Sequence, residues 1–480
     1  MDAFRFDNSY LTLPSAFFHV DAPTAFPSPQ LVVKNDDLLA EIGVNLADYS
    51  AEEQAALFCG NLIPDGTTPF SQAYAGHQFG HFTNLGDGRA HLLGEHLTPA
   101  GKRLDIQYKG SGRTMYSRRG DGLAAISPML REYLISEALY ALGIPTTRSL
   151  SVTTTGEQIQ RERPLPGAVL TRVASSHIRV GTFEYAAATQ NPENLSALLD
   201  YTIQRHYPDL QDHEDKPLAL LEAVMQRQIA LIVEWMRVGF IHGVMNTDNV
   251  LLSGESIDFG PCAFMDYYHA DQVYSSIDRQ GRYAYSNQPA IAQWNLARLA
   301  EALLPLRRED MQSFATEAEE LILSYEALYR QAWLTMMRQK LGLLATEPDD
   351  EQLATDLLSL MQEHEADFTN TFRDLSRPVP PSGDWYDHED FQSWYHRYEQ
   401  RRLLHGQSLE ASTATMQATN PSVIPRNHQV EHALQRAELG DLTPLHNLLS
   451  VLKTPYTQTN AAYQSPPERS APAYQTFCGT

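Results

Sequence analysis

The stretch that most constrains this chain runs from Ile241 to Asp266, reading IHGVMNTDNVLLSGESIDFGPCAFMD. His242 and Asn249 are followed by Asp258-Phe259-Gly260 across the apolar run Val250-Leu251-Leu252 and the turn residues Ser253-Gly254-Glu255. This pattern predicts two short apolar strands that present Asn249 and Asp258 at adjacent ends. An amide oxygen and a carboxylate held side by side are hard ligands suited to one divalent ion. The tripeptide alone is equally at home in a surface loop whose Asp and Asn cap helices. The spaced His and Asn, with an apolar hairpin between them, favour a site.

The order of these residues resembles the metal-and-phosphate end of a protein-kinase fold. There H-R-D-L-x-x-x-N precedes D-F-G, and the Asn and the D-F-G Asp hold magnesium on nucleotide phosphates. The position of the kinase base is Val244, which cannot accept a proton, and an acid stands instead at Asp248. That substitution weakens an ordinary phosphotransferase reading. The expected fold class is α+β: a bilobal, protein-kinase-like fold with an N-terminal arm and a helical C-terminal extension. The 480 residues allow this, since single cores stop growing near ~250 to 300 residues. The predicted divisions are an arm over 1–70, a small lobe over 71–185, a helical large lobe over 186–375, and an extension and tail over 376–480.

Charge narrows the partners. With 36 basic against 59 acidic residues, the net charge of -23 argues against a general nucleic-acid binder or an anionic membrane surface, so a phosphate site must be a local basic pocket. The first residues lack a cationic region followed by an apolar core, and no segment approaches ~20 uninterrupted apolar residues, so a soluble, cytoplasmic protein is expected. Three cysteines, Cys59, Cys262 and Cys478, do not make a disulfide scaffold.

Along the chain, residues 1–70 alternate short helical patterns with proline-rich turns such as Ala25-Phe26-Pro27-Ser28-Pro29, and read as an arm packed on a larger body. Tyr74 to Phe82 is dense in glycine, histidine and aromatics; His77 and His81 have metal-pair spacing but no third ligand nearby, which favours a structural role. Gly86-Asp87-Gly88-Arg89 is either a phosphate loop or a simple tight turn before a strand from Ala90 to Glu95. After the turn Thr98-Pro99-Ala100-Gly101 comes an alternating strand from Arg103 to Lys109, whose terminal lysine is placed to grip phosphate. A helix follows, with Ser127 as cap, Pro128 in its first turn and Gly143 ending it. Glu132 and Glu137 lie inside it; Glu132, one turn in, is preferred as the partner of Lys109, although periodicity does not separate the two.

Between strand and helix, Gly110 to Gly122 carries three arginines among glycines, which favours an anion-facing loop, with Asp121 and Gly122 able to bond a base or ribose. Strands are legible over 147–154 and 167–173, hinged at Thr155-Gly156-Glu157. Arg172 and Arg179 follow as two guanidinium forks that either clamp phosphate oxygens or make surface ion pairs. A strongly amphipathic helix over 217–240 delivers the chain to the opening stretch. Tyr267 to Asn287 reads as an activation-like segment. Helices are expected over 291–304, 309–342 and 351–374, a hinge at Arg377-Pro378-Val379-Pro380-Pro381, and an irregular tail after Pro455.

Taken together, YAGHQFGHFTNLGDGRA, QYKGSGRTMYSRRGDG, SPMLREYLISEALYALGIPTTRSLSV and HGVMNTDNV with IDFGPCAF resemble the SelO family of protein adenylyltransferases, across nearly the whole chain. The resemblance implies transfer of AMP from ATP to a protein hydroxyl on Tyr, Ser or Thr, of other proteins and of itself, with pyrophosphate leaving and the nucleotide inverted relative to a kinase. UMP transfer from UTP is open, because the recognised contacts are mostly to phosphates. It assigns Gly86, Gly88 and Arg89 to the nucleotide loop, has Lys109 bind phosphate and pair with Glu132, and puts Asp121 and Gly122 on the flipped nucleotide. It has Arg172 and Arg179 hold the terminal phosphate, Asn249 and Asp258 bind Mg2+ or Mn2+ with Asp258 also on the nucleotide, and Asp248 accept the proton. It also implies a Cys262–Cys478 disulfide. A monomer is expected; a conventional kinase and a non-catalytic nucleotide-binding scaffold are the competing readings.

Overall fold

A computed structural model describes residues 3–468 and 474–476 of the chain. Its strands are β1 (Phe18–Val20), β2 (Gln30–Lys34), β3 (Phe70–Gln72), β4 (Ala75–Gln78), β5 (His81–Asn84), β6 (Ala90–Leu97), β7 (Arg103–Lys109), β8 (Arg148–Gln160), β9 (Pro164–Ala174), β10 (Phe240–Ile241) and β11 (Ala263–Phe264). Seven form one antiparallel sheet in the order β1-β3-β6-β7-β9-β8-β2, and β4-β5 and β10-β11 are two separate antiparallel pairs. Strand β7 has the limits its alternation predicts. The first seventy residues, expected as an arm, supply both edge strands of this sheet. The expected hinge at Thr155-Gly156-Glu157 is a register shift between Thr154 and Gln158 inside β8, where Gly156 takes φ +80°.

The helices are α1 (Asp36–Ile42), α2 (Ala51–Cys59), α3 (Ile126–Ala141), α4 (Val180–Ala188), α5 (Pro192–His206), α6 (Lys216–Val238), α7 (Gln288–Leu303), α8 (Met311–Lys340), α9 (Asp350–Glu363), α10 (Phe368–Leu375), α11 (Glu389–Leu403), α12 (Leu409–Thr419), α13 (Asn427–Glu438), α14 (Thr443–Leu452) and α15 (Ala461–Gln464). The architecture is α+β. No helix among the described residues is long and apolar enough to cross a membrane.

The two-residue period of a strand decides what the sheet presents to each side. On β7, Ile106 and Tyr108 join Val169, Val173 and the α1–α2 residues Leu38, Leu39, Leu57 and Phe58 in one buried cluster. The intervening Asp105, Gln107 and Lys109, with Arg172 of β9, face the opposite way, toward α3 and the helical body. A second, larger core runs from Leu130 and Leu134 of α3 into α6 and α7.

Three local expectations are corrected. Ser127 does not cap α3: Ala125 is at the cap, and the Ser127 hydroxyl donates to Glu438 at 2.6 Å, tying α3 to α13. The stretch 250–258 does not form the expected strand pair, because its residues bridge to separate segments, Leu251 to Arg179 and Ser256 to Thr146. The single helix expected over 351–374 is two, since Asp367 breaks it by capping the Asn370 N–H and receiving the buried Arg426 guanidinium at 2.7 Å.

Candidate active site

Strands β10 and β11 bracket residues 242–262, so a buried hairpin base fixes both ends of the loop that carries Val244, Asp248, Asn249 and Asp258. His242 is a strut within it: its ring stacks on Trp235 at 5.2 Å, and Nε2 lies 2.8 Å from the Ile257 carbonyl, one residue before Asp258. Asp258 takes φ +62°, a left-handed conformation that costs a non-glycine residue on the order of 1 kcal/mol or more and is held by its surroundings.

Those surroundings are cationic. Lys109 Nζ lies 2.5 Å from Glu132 and also pairs with Asp258; Arg172 Nη1 reaches Glu132 at 2.9 Å and Asp258 at 2.8 Å, while its other donors go to Gln107. Glu132 is therefore the partner that the lysine selects. Glu137 points elsewhere, to Arg148 and Asn35. Burial raises the Asp258 pKa, but the charges of Lys109, Arg172 and Arg179 outweigh it and hold the carboxyl well below the usual range. Arg179 is buried, stacks on Tyr74 at 4.1 Å, lies 3.8 Å from Asp87, and keeps a buried Nε with no hydrogen-bond partner.

All these groups open on one cavity of about 420 Å³. Its lining brings together every site residue read from the sequence for nucleotide, metal and base: Gly86, Gly88, Arg89, Lys109, Asp121, Gly122, Glu132, Arg172, Arg179, Asp248, Asn249 and Asp258. Gly86 has φ +90°, and a Cβ there would collide with the Tyr116 ring, so this turn admits glycine alone. Asp121 is on the rim with its carboxylate engaged by Arg161 at 2.7 and 3.1 Å, which lowers its pKa. Asn249 donates to the Val244 carbonyl at 2.9 Å.

Asp248 differs from every other acid in the cavity. It sits in a tight turn, Thr247–Asn249, beneath β4, where a Cβ on Gly76 would collide with its carboxylate. Its Oδ1 is buried without a hydrogen-bond partner, and burial pushes its pKa up to about 6. The turn is clamped from outside: Thr247 Oγ1 accepts from the His77 N–H at 2.7 Å and donates to Glu184 at 2.6 Å, and Glu184 also holds the His77 ring. The structural role expected of His77 is this clamp.

Sequence reasoning missed Asp87, Gln107, Tyr74, Glu184 and Asn246. Asp87, buried between Gly86 and Gly88 and accepting the Gln72 N–H at 3.0 Å, had a visible signal in its glycine flanks. Glu184 had none. Cys262 is buried, its thiol donating to the Phe259 carbonyl at 3.2 Å with its pKa pushed up to about 12 by burial; Cys478 lies outside the described residues.

Known proteins resemble this chain over nearly its whole length. The family model described as "Protein adenylyltransferase SelO" matches residues 2–453. Relatives named protein nucleotidyltransferase YdiU include one from Nitrosococcus oceani, 56% identical over 479 residues, covering 99% of this chain and 97% of the relative. Others from Bacillus cytotoxicus and Brevibacillus brevis are each 54% identical, covering 99% of this chain and 98% of theirs. The chain belongs to the SelO family.

Proposed function

We propose that this SelO-family chain is a nucleotidyltransferase that moves AMP from ATP, or UMP from UTP, onto Tyr, Ser or Thr hydroxyls of proteins, itself included, on a bilobal kinase-like fold. The proposed lobes are 71–185 and 186–375. The observation that carries the reading is Asp248, a carboxylate with no ion pair among the described residues that lines the same cavity as the Lys109–Arg172–Asp258 cluster. The kinase base position, Val244, also lines that cavity and has no proton acceptor. In the proposed step the acceptor oxygen bonds to the α-phosphorus, its proton passes to Asp248, and the bond from the α-phosphorus to the bridging oxygen breaks. Pyrophosphate leaves with both electrons of that bond.

The remaining roles follow from charge. Lys109, fixed by Glu132, and Arg172 and Arg179 neutralise the triphosphate and the departing pyrophosphate, and Gly86, Gly88 and Arg89 let the backbone approach it. Asp121 and Gly122 border the nucleoside end, and the phosphate contacts proposed here are common to ATP and UTP. Asn249 and Asp258 would hold Mg2+ or Mn2+: both are hard oxygen donors, and the partners of Asp258 named above all use Oδ1, leaving Oδ2 for a cation. Among the described residues no group of three or more His, Cys, Asp or Glu is placed to hold a metal. When bound, the ion would neutralise charge on the triphosphate. We place the protein in the cytoplasm as a monomer, and extend the proposal to a Cys262–Cys478 disulfide.

The test is incubation with acceptor proteins and ATP labelled on the α- or the γ-phosphate. Label from the α-position on the acceptor, with none from the γ-position, is expected. Transfer of γ-label would make the chain a kinase, and transfer of neither would make it a binding scaffold.

A further inference from the structure

The turn that carries Asp248 has a second neighbour outside the nucleotide cavity. Asn246 Oδ1 accepts from the Tyr283 hydroxyl at 2.6 Å and from the Phe79 N–H at 3.0 Å, which ties residues 282–283 to the loop two positions before Asp248. Arg282, next in line, does not line the cavity. Its guanidinium carbon lies 4.7 Å from the Trp294 ring centre and 5.7 Å from that of Tyr283, and Arg298 stacks on the same tryptophan at 5.0 Å. A cationic and aromatic strip thus lies beside the loop that carries the base.

The charge of Arg282 is unanswered. Its Nε and Nη2 are buried without a hydrogen-bond partner, and no ion pair joins it to an acid among the described residues. The nearest acid in sequence, Asp278, spends its two oxygens on the backbone N–H groups of Arg282 and Tyr283, at 2.9 and 2.8 Å. Arg298 reaches Glu301 at 2.7 Å but also keeps a buried, partnerless Nε. Arg282 is half-buried, and a guanidinium braced on an aromatic face with no carboxylate of its own is preorganised to pair with one from a partner. In a chain of net charge -23 this strip is a local exception that attracts acidic groups and repels basic ones.

We infer that Arg282, braced by Trp294 and assisted by Arg298, recognises an acidic side chain of the acceptor protein flanking the hydroxyl presented to Asp248. The inference rests on the transfer reading above and adds to it the chemical class of acceptor. An arginine outside the cavity that holds the triphosphate, yet joined to the loop of the base, is placed to read the second substrate and not the first.

The full chain, α-labelled ATP, and Mg2+ or Mn2+ provide the test, with peptides of one backbone carrying a single Tyr, Ser or Thr flanked by Glu, Gln or Lys at successive positions. For the unaltered protein, kcat/KM is expected to be about tenfold higher with Glu than with Gln at the preferred position, and lower still with Lys. Arg282→Gln should bring the Glu-to-Gln ratio close to one, with Arg282→Lys between. Molar salt should shrink the ratio in the unaltered protein. A ratio near one in the unaltered protein at every position, or one that Arg282→Gln leaves intact, overturns the inference. If Arg282→Gln does not fold, the unaltered protein and Arg282→Lys decide, an undiminished ratio in the latter at molar salt counting against it. Label with no acid preference removes this inference alone; no α-label on any peptide or on the protein itself removes the transfer reading and this inference with it.

Discussion

Strand β7 carries a buried ion cluster at each end, and the two behave as opposites. At one end Asp105 meets Arg205 at 2.8 Å and His177 at 3.0 Å, while Glu95 meets Arg205 at 2.7 Å and Arg103 at 3.2 Å. Each carboxylate there is answered by arginine. At the other end, about 13 Å away along the strand, Lys109, Glu132, Arg172 and Asp258 are paired as closely. Charge density and burial are therefore shared features, and neither marks function. Buried atoms without a partner occur at both ends, and a cavity of about 440 Å³ also opens beside Arg103 and Arg205; what distinguishes the site is that its cavity is lined by carboxylates, Asp248 among them, as well as by cations, whereas no carboxylate lines the other.

The comparison breaks if the two ends respond alike to substitution. Asp258→Ala should lower nucleotidyl transfer at least about 10⁴-fold, equivalent to about 5 kcal/mol of barrier, because it removes the proposed metal ligand. Its urea midpoint should change modestly, since Lys109 and Arg172 keep Glu132. Arg205→Ala should do the reverse. Leaving Asp105 and Glu95 buried with less compensation should cost about 3–5 kcal/mol of stability in urea unfolding, while transfer per folded molecule persists.

Acid sharpens the contrast on a smaller scale. Burial lowers the His177 pKa from 6.5 to about 4, against the pull of Asp105. Below pH 6.5 the unfolded chain takes up a proton that the folded chain refuses, so this stability is full above about pH 6.5 and is lost as pH falls toward 4. At pH 5 the loss from this residue is about 2 kcal/mol, readable as a shift in urea midpoint between pH 7 and pH 5. A midpoint unchanged over that interval would contradict the assignment of a neutral, sequestered imidazole.

Much of the site was legible because its signals are local. The limits of β7 follow from its alternation and the turn before it, and Lys109 lies at its end as read. Asp258, Asn249 and the glycine turn at Gly86 are likewise set by short spacings. The failures share a different cause. The run Val250 to Ser256 looks like a hairpin, but its polar backbone is satisfied by Arg179 and Thr146, segments remote in sequence. Ser127 has the look of a cap until Glu438 takes its hydroxyl. The edge strands within the first seventy residues pair with β3 and β8, partners that no local pattern names. Glu184, which clamps the turn of Asp248 through Thr247, is an unremarked residue of a helix until the fold brings it there.

The central claim is that Asp248, and not the ion-paired carboxylates of the cavity, carries the proton of the acceptor. Single-turnover transfer of α-labelled AMP by Asp248→Asn, with nucleotide affinity measured on the same preparation, tests it most directly. The account predicts nucleotide affinity within about threefold of the unaltered protein and transfer reduced about 10²- to 10⁴-fold. Transfer retained at the original rate, with the nucleotide bound, would contradict it.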